Sequence, residues 1–506
     1  MLIEMHAHTS RHSSCSEVDA VDVVRQTMKK SVQGLVITEH HYLWSDEEIA
    51  RLRQEAEIDE YFVLLAAQEV DTDNGHMLVY GAGETIEERM TVVELRERYP
   101  AAALVLAHPF RNRKIPTQSR LISPLFDAIE IFSSNHSQLE NYLGLKLWHQ
   151  YRFTAISGSD THALETAGIL PTQFDHPVRS MDELVDELKK GRCRPFYKEI
   201  PKAGANLTVY EITMGTKGED ESRSRLILKT PNRPENWKSI RNTSVITQHV
   251  HDHGFSNGSF RVPKTLEIDN DKMLVIEEGQ RGKRLFELML QVSPPTGREY
   301  FFLAAKWLAR LHSQKIRIGS PDATIRRENR RFKSYLKSFE STYSPYLVQV
   351  RELLDAVRTF EDMLFSHAQG NFVQVHGDYH PKNIIIGQDR MQDIATLFIS
   401  VIDFGNSQVF DPAFDLGYFI SQFINQFRAF PHVLNQYRPE SFVHTYIEEA
   451  ALDGNEEFTR SVNLFRIRAN LSIASFLVKV GKGRSRDMDM LIADSMDLLG
   501  TVTAVG

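Results

Sequence analysis

Residues 375–406 read VHGDYHPKNIIIGQDRMQDIATLFISVIDFGN. A short apolar strand runs into His376-Gly377-Asp378. Two apolar runs follow, Asn383–Ile386 and Leu397–Ile402, patterned as a hairpin that ends in Asp403-Phe404-Gly405. Two separated acids, Asp378 and Asp403, and one amide, Asn383, stand out from this apolar framework. One acid so placed can position a hydroxyl, while the second acid and the amide hold Mg²⁺ on phosphates. His376 reads as a hydrogen-bonding brace for the loop.

Outward from this stretch the pattern is helical. Leu285–Leu290, Tyr300–His312, Val348–His367, Phe465–Val480 and Asp487–Leu499 all carry helical periodicity. Asp411-Pro412-Ala413-Phe414-Asp415-Leu416-Gly417 opens an aromatic helix in which Phe419, Phe423 and Phe427 recur four apart, a core stripe. Upstream, Asn206–Thr213 and Arg225–Lys229 read as strands around a charged loop, Lys217–Ser222. Lys229 ends its strand, where it can reach phosphates as a point charge or be an ordinary edge lysine. Glu235–His253 reads as a helix whose His249, His251 and His253 form a polar end stopped by Gly254. Lys272–Glu277 is a further strand, followed by Glu278-Gly279-Gln280.

HGDYHPKN (376–383), VIDFGN (401–406) and DPAFDLG (411–417), with Lys229 upstream, resemble the aminoglycoside phosphotransferase and choline kinase-like family. The resemblance covers residues 205–500 and implies a two-lobed α+β, protein-kinase-like fold, with a first lobe over 205–280 and a second over 281–506. It implies that Asp378 is the catalytic base or positioner, that Asn383 and Asp403 bind Mg²⁺, and that Lys229 contacts the phosphates of ATP. Glu278–Gln280 would be the hinge that pairs with adenine through its backbone. The family pairs the lysine with a helix glutamate, and here Thr243 falls near that position, with Glu235 too early. That departure leaves open a nucleotide-binding module that regulates without turnover.

The first 198 residues alternate short apolar strands with amphipathic helices, an α/β pattern with a largely parallel sheet, open or barrel-shaped. Metal-competent residues follow the strands: His6 and His8, then Glu39, His40 and His41, then Glu69, His108, His136, and finally Asp160 and His162. Such residues gather at the C-terminal rim of α/β barrels, where imidazoles and carboxylates build multinuclear centres.

MHAHTS (5–10), ITEHH (37–41), QEVDTDNGHMLVYG (68–81), LAHPFR (106–111) and ISGSDTH (156–162) resemble the PHP (polymerase and histidinol phosphatase) family. The resemblance implies a distorted (β/α)7 barrel that hydrolyses phosphoesters with two to three divalent ions such as Mn, Zn or Fe. By motif position, His6, His8, Glu69 and Asp160 would hold one ion. Glu69 would bridge to a second held by His108 and His136, and His40 and His162 would serve a third. His12 or Cys15 stands where the family places a further ligand, and His76 reads as a residue that orients a ligand. Arg111 and Arg113 are candidates for a substrate phosphate, or simply loop arginines.

MDELVDELKKGRCRPFY (181–197) reads as the closing helix and strand of this first domain, and a turn or short linker is expected at 199–205. The chain has 506 residues, net charge −8 and two cysteines, Cys15 and Cys193. That acidic balance argues against a broad nucleic-acid surface, although PHP-like domains act on polynucleotides and an end-processing enzyme is an alternative. No basic and apolar leader and no membrane-length apolar run is present, so a soluble cytoplasmic protein is expected, without membrane partners. The combined expectation is a bifunctional enzyme with small-molecule phosphoester and hydroxyl-bearing substrates.

Overall fold

The computed structural model describes residues 1–204, 206–216, 224–389, 393–452 and 456–503. The expected loop Lys217–Ser222 lies outside the described residues. The chain divides into two units, Met1–Thr230 with Ile276–Arg281, and Pro231–Val275 with Gly282–Gly506.

Unit one opens with β1 (Leu2–Ala7), α1 (Ala20–Lys29), β2 (Gly34–His40), α2 (Asp46–Glu55), β3 (Val63–Thr72) and β4 (Gly75–Tyr80). It continues with α3 (Val92–Arg98), β5 (Ala103–Leu106), α4 (Gln118–Leu121), β6 (Ala128–Phe132) and α5 (Gln138–Tyr151). β7 (Ala155–Ser157), β8 (Thr172–Phe174), α6 (Met181–Lys189) and β9 (Cys193–Pro195) follow. Ser45 with Glu48, Thr91 with Glu94 and Ser137 with Glu140 close capping boxes at the starts of α2, α3 and α5. The nine strands form one sheet in the order β7-β6-β5-β4-β3-β2-β1-β8-β9. β4 and β8 alone run against the other seven.

The sheet nearly closes on itself. Thr172 Oγ1 on β8 accepts from Ser157 N on β7 at 2.9 Å and donates to Ser157 O at 2.7 Å. Side chains alternate between two cores, as the strand pleat requires. On β2, Val36 packs inside with Ile3, Met5 and Ile156, whereas Leu35 and Ile37 pack outside with Val23, Val24 and Leu52.

A single residue, Phe196, separates β9 from β10 (Tyr197–Ala203), which pairs antiparallel along its whole length with β11 (Leu207–Met214). The linker expected at 199–205 is therefore replaced by a strand through residue 203. Pro201 misleads because proline reads as a breaker, yet β10 is the edge strand, where a missing N–H costs no ladder bond. The end of β11 is stitched to residues flanking β8 and β9: Thr216 N donates to Ile169 O at 2.9 Å and Gly215 N to Phe196 O at 3.0 Å. β12 (Arg225–Pro231) follows in the same sheet.

Unit two begins with α7 (Trp237–Asp252), β13 (Phe260–Arg261) and β14 (Thr265–Asp269). β15 (Leu274–Glu278) is split, its Ile276–Glu278 part belonging to unit one, where it neighbours β12. β16 (Lys283–Arg284), α8 (Leu285–Leu288), α9 (Pro294–Ser313), α10 (Pro321–Ser341), α11 (Leu347–His367) and β17 (Val373–Val375) follow. Then come β18 (Ile384–Gln388), β19 (Leu397–Val401), β20 (Gln408–Phe410), α12 (Ala413–Gln426), α13 (Pro431–Gln436), α14 (Pro439–Glu449), α15 (Glu456–Lys479) and α16 (Arg486–Thr503). The expected hairpin is β18–β19, with Ile384 opposite Val401. Phe419, Phe423 and Phe427 are all buried, with Phe301 and Phe442 against them. His253 bonds back to His249 O and Gly254 turns at φ +99°, the polar helix end expected there.

Behind this core lies an ionic cluster. Arg468 holds Glu328 Oε2 at 2.7 Å, and Arg331 holds its other oxygen at 2.8 Å. Glu361 is buried nearby, with Oε1 lacking a hydrogen-bond partner. Burial, and then the Glu328 carboxylate, hold the Glu361 carboxyl well above the usual range. The unfolded chain ionises this group above a pH of about 4.3, whereas the native state keeps it protonated. Its stabilisation is therefore complete below that pH and declines as pH rises toward the native value. Glu361→Gln, which cannot ionise, should raise the unfolding free energy at pH 8 by on the order of 1 kcal/mol or more. The gap should close near pH 4. A wild type more stable than the variant at pH 8 would contradict this account.

Candidate active sites

Four side chains converge at the rim of the nearly closed sheet. His6, His8, Glu69 and Asp160 are all buried, and one ligand atom from each lies within 4.8 Å of the others. Glu69 Oε2 is 3.3 Å from His6 Nε2 and 3.1 Å from His8 Nε2, and Asp160 Oδ1 is 3.5 Å and 3.4 Å from the same two atoms. The convergence follows from topology, because the parallel strands β1, β3 and β7 all end at this rim. Glu69 also meets His40 at 3.4 Å, and its other oxygen meets His108 at 3.1 Å and His76 at 2.7 Å.

His76 is thus in direct contact with the central carboxylate and forms a further candidate group with His40 and Glu69. It begins β4, and since β4 runs antiparallel, its start lies at the rim where its neighbours end. His136 is buried, with Nδ1 3.2 Å from Asn141 Oδ1 and Nε2 without a partner. His162 sits on the Asp160 side, its Nδ1 3.5 Å from Asp160 Oδ1. Cys15 groups with His8 and His40, whereas His12 stacks on Tyr42 at 3.8 Å and pairs with Glu48. Arg111 reaches Asp160 at 4.0 Å, and Arg113 donates its backbone N–H to Glu140.

Three buried carboxylates brace this rim. Glu130 Oε1 lies 3.0 Å from His6 Nδ1, and its Oε2 accepts from His108 N at 2.8 Å. Glu4 accepts from His6 N at 3.0 Å and Ser159 N at 2.8 Å, and Glu39 accepts from Thr9 and Trp44. Glu4 and Glu130 escape a search for residues past strand ends, because they lie inside strands. Their signal is a lone acid within an otherwise apolar stretch, LIEM or AIEIF.

Burial opposes a charge on His6, yet Glu130, Asp160 and Glu69 outweigh it and hold its pKa well above the ordinary value. Burial likewise opposes ionisation of Glu69, but His6 and His108 hold its carboxyl well below the usual range. Burial pushes Glu4 up to about 7 and His40 down to about 4. The pocket thus favours positive charge at its centre. Its mixed imidazole and carboxylate donors, with His136 Nε2 as a spare buried donor atom, fit divalent ions such as Mn, Zn or Fe.

The second constellation lies in unit two. Register across β18–β19 places Asn383, just before one strand, beside Ile402 and Asp403, just after the other; Ile402 N donates to Asn383 O at 3.0 Å. Asn383 Nδ2 donates to Asp378 O at 3.1 Å, tying the amide to the loop. Asp415 in α12 accepts from His376 N at 2.6 Å and Gly377 N at 2.8 Å, and His312 Nε2 lies 3.2 Å from the same carboxylate. His376 reaches Ile402 O at 3.1 Å, the bracing role read from the sequence. Gly377 turns at φ +81°, and a Cβ there would lie 2.1 Å from Asn406 O. Tyr418 donates to Asp378 Oδ1 at 2.6 Å, a partner visible in sequence only as the residue after DPAFDLG. Helix α7 packs on the turn Phe404–Asn406, and Glu235 is exposed beside Arg233.

A Cβ on Gly158 would lie 2.5 Å from both Glu130 Oε1 and His6 Cβ. Gly158→Ala must therefore displace His6 or its brace. The expected outcome is a loss of about 1–3 kcal/mol in stability, together with reduced retention of Mn²⁺ after dialysis. Unchanged metal content and midpoint would show that the rim has slack that the packing denies.

A family model described as phosphotransferase enzyme family matches residues 199–448, and a second, described as PHP-associated, matches residues 138–193. The second match spans α5 to β9 and includes Asp160 and His162. No curated protein matches the chain. Among solved structures, a GDP complex of an aminoglycoside 2'-phosphotransferase variant is 14% identical, with 61% of this chain and 93% of that one covered and a TM-score of 0.40. A Plasmodium vivax ethanolamine kinase is 14% identical over 60% and 82%, with a TM-score of 0.37. An amicoumacin kinase with AMP-PNP is 17% identical over 59% and 87%, with a TM-score of 0.40. At these scores the assignment rests on the family model and on the constellation around Asp378. The C-terminal part of this chain is a domain of the phosphotransferase enzyme family.

Proposed function

We propose that the chain is a two-headed enzyme. Its phosphotransferase domain moves the terminal phosphoryl group of ATP to a small-molecule hydroxyl, and its N-terminal unit is a PHP-type, metal-dependent phosphoesterase barrel. The observation that supports the first activity is the hairpin register that sets Asn383 opposite Ile402, next to Asp403, with Asn383 Nδ2 bonded to Asp378 O. In this reading Asp378 orients the acceptor hydroxyl, with Tyr418 fixing one of its oxygens so that the other faces the substrate. Asn383 and Asp403 hold Mg²⁺, and Lys229 neutralises phosphate charge.

The buried cluster His6, His8, Glu69 and Asp160 supports the second activity. His108, His136 and His40 would complete the ligand set for two to three ions, with His162 and His76 at its margin. Divalent ions held there would supply Lewis acidity toward a phosphoester. Glu130 and Glu4 keep His6 oriented. Arg111, half exposed beside Asp160, is placed to meet a substrate phosphate. Among the described residues no helix is long and apolar enough to cross a membrane.

With Mn²⁺ and p-nitrophenyl phosphate, His8→Ala should cut hydrolysis by about 10- to 100-fold or more. Undiminished turnover would remove the metal-site reading. In a metabolite screen read by phosphate mass shift, Asp378→Ala should lower ATP-dependent transfer by about 10²–10⁴-fold. ATP binding with no acceptor-dependent turnover in wild type would instead favour a regulatory module.

A further inference from the structure

The residue that ought to steady Lys229 is absent from its usual place. Helix α7 contains no glutamate, and its sole aspartate, Asp252, is its last residue. A lysine near phosphates with no acid to hold it samples many rotamers, and the arrangement needed for transfer forms only part of the time.

An acid is nonetheless present, on a different element. Lys229 Nζ lies 2.6 Å from Glu277 Oε2. Glu277 belongs to β15, the strand beside β12 in the sheet. The pair is shielded: the lysine side chain is 17% exposed and the carboxylate 4%, so solvent screens it little. The end of β15 is pinned to β12 by a 2.8 Å bond from Gly279 N to Arg225 O. Glu277 keeps a second oxygen, Oε1, that is buried and accepts no hydrogen bond.

We propose that Glu277 is the positioning residue for Lys229, taking over from a strand the role that a helix acid would otherwise fill. The proposal rests on the reading of Lys229 as a phosphate contact. Its physical consequence is a lysine set by sheet hydrogen bonds. Two neighbouring strands move little relative to each other, so Lys229 is aimed before nucleotide arrives. Glu277 acts on nucleotide only through Lys229.

The test compares MgATP with adenosine by calorimetry on the full chain, in wild type, Glu277→Gln, Glu277→Ala, Lys229→Ala and the double variant Lys229→Ala/Glu277→Ala. Glu277→Ala should weaken MgATP about tenfold, and the near-isosteric Glu277→Gln should weaken it less. Adenosine affinity should change at most about twofold, because the phosphates carry the effect. In the Lys229→Ala background, removing Glu277 should cost MgATP nothing further. Equal losses for both ligands would mean that Glu277 merely supports the fold, and would overturn the proposal. So would unchanged or tighter MgATP binding, since a carboxylate that competes with phosphate is the opposite of a positioner. So too would a full additional loss in the Lys229→Ala background. Wild type that binds adenosine but gains nothing from the phosphates would overturn the Lys229 contact itself, and Glu277 with it. Retained Mn²⁺ content in the barrel verifies that each variant is folded.

Discussion

One buried carboxylate governs the N-terminal unit. Glu69 lies within hydrogen-bonding or ion-pairing reach of His6, His8, His40, His76 and His108, which arrive from β1, β2, β4 and the loop after β5. An acid 1% exposed costs several kcal/mol to bury unpaired, so Glu69 stays buried only with its imidazole partners in place. Five imidazoles around one carboxylate also give too few acids locally. Asp160, Glu130 and Glu4 supply the balance from β7 and its loop, β6 and β1, and these buried charges are reconciled by positive charge at the centre. His6 is held from both sides, by Glu130 in β6 and by Glu69 in β3.

The phosphotransferase domain solves a comparable problem with Asp415. Its two oxygens accept the N–H groups of His376 and Gly377, fixing a loop that must carry Asp378 in an irregular conformation. His312 holds that carboxylate and is itself held by Tyr446, so the loop's geometry is anchored in helices α9, α12 and α14. In this domain the loop that carries Asp378 is thus fixed by an acid on a regular element, Asp415 in α12. The strand-borne Glu277 follows the same logic at Lys229.

Much of this was legible in the chain. The apolar runs predicted most strands, and the Phe419–Phe423–Phe427 spacing identified a core face. His6, His8, Glu69 and Asp160 were singled out before their convergence was visible, and so were Asp378, Asn383 and Asp403. His76, read as a residue that orients a ligand, does meet Glu69, at 2.7 Å. The misreadings have specific causes. Residues 199–203 looked like a linker because proline on an edge strand resembles a breaker. Glu4 and Glu130 were passed over because an acid inside an apolar strand reads as noise until its partner, His6, is seen.

By itself the sequence determined which residue types are available and at what local period, since hydrophobic periodicity and capping depend on neighbours a few positions away. It therefore settled element types, the HGD-to-IDFG hairpin and the list of metal-competent side chains. Only the tertiary structure decided which side chains meet. Glu69 and His108 are 39 positions apart, and His6 and Asp160 lie at opposite ends of the sheet-forming segment. Lys229 finds its acid 48 positions away, on a strand rather than on the next helix. Such pairings depend on strand order and direction, which are set by long-range packing and leave no local mark in the chain.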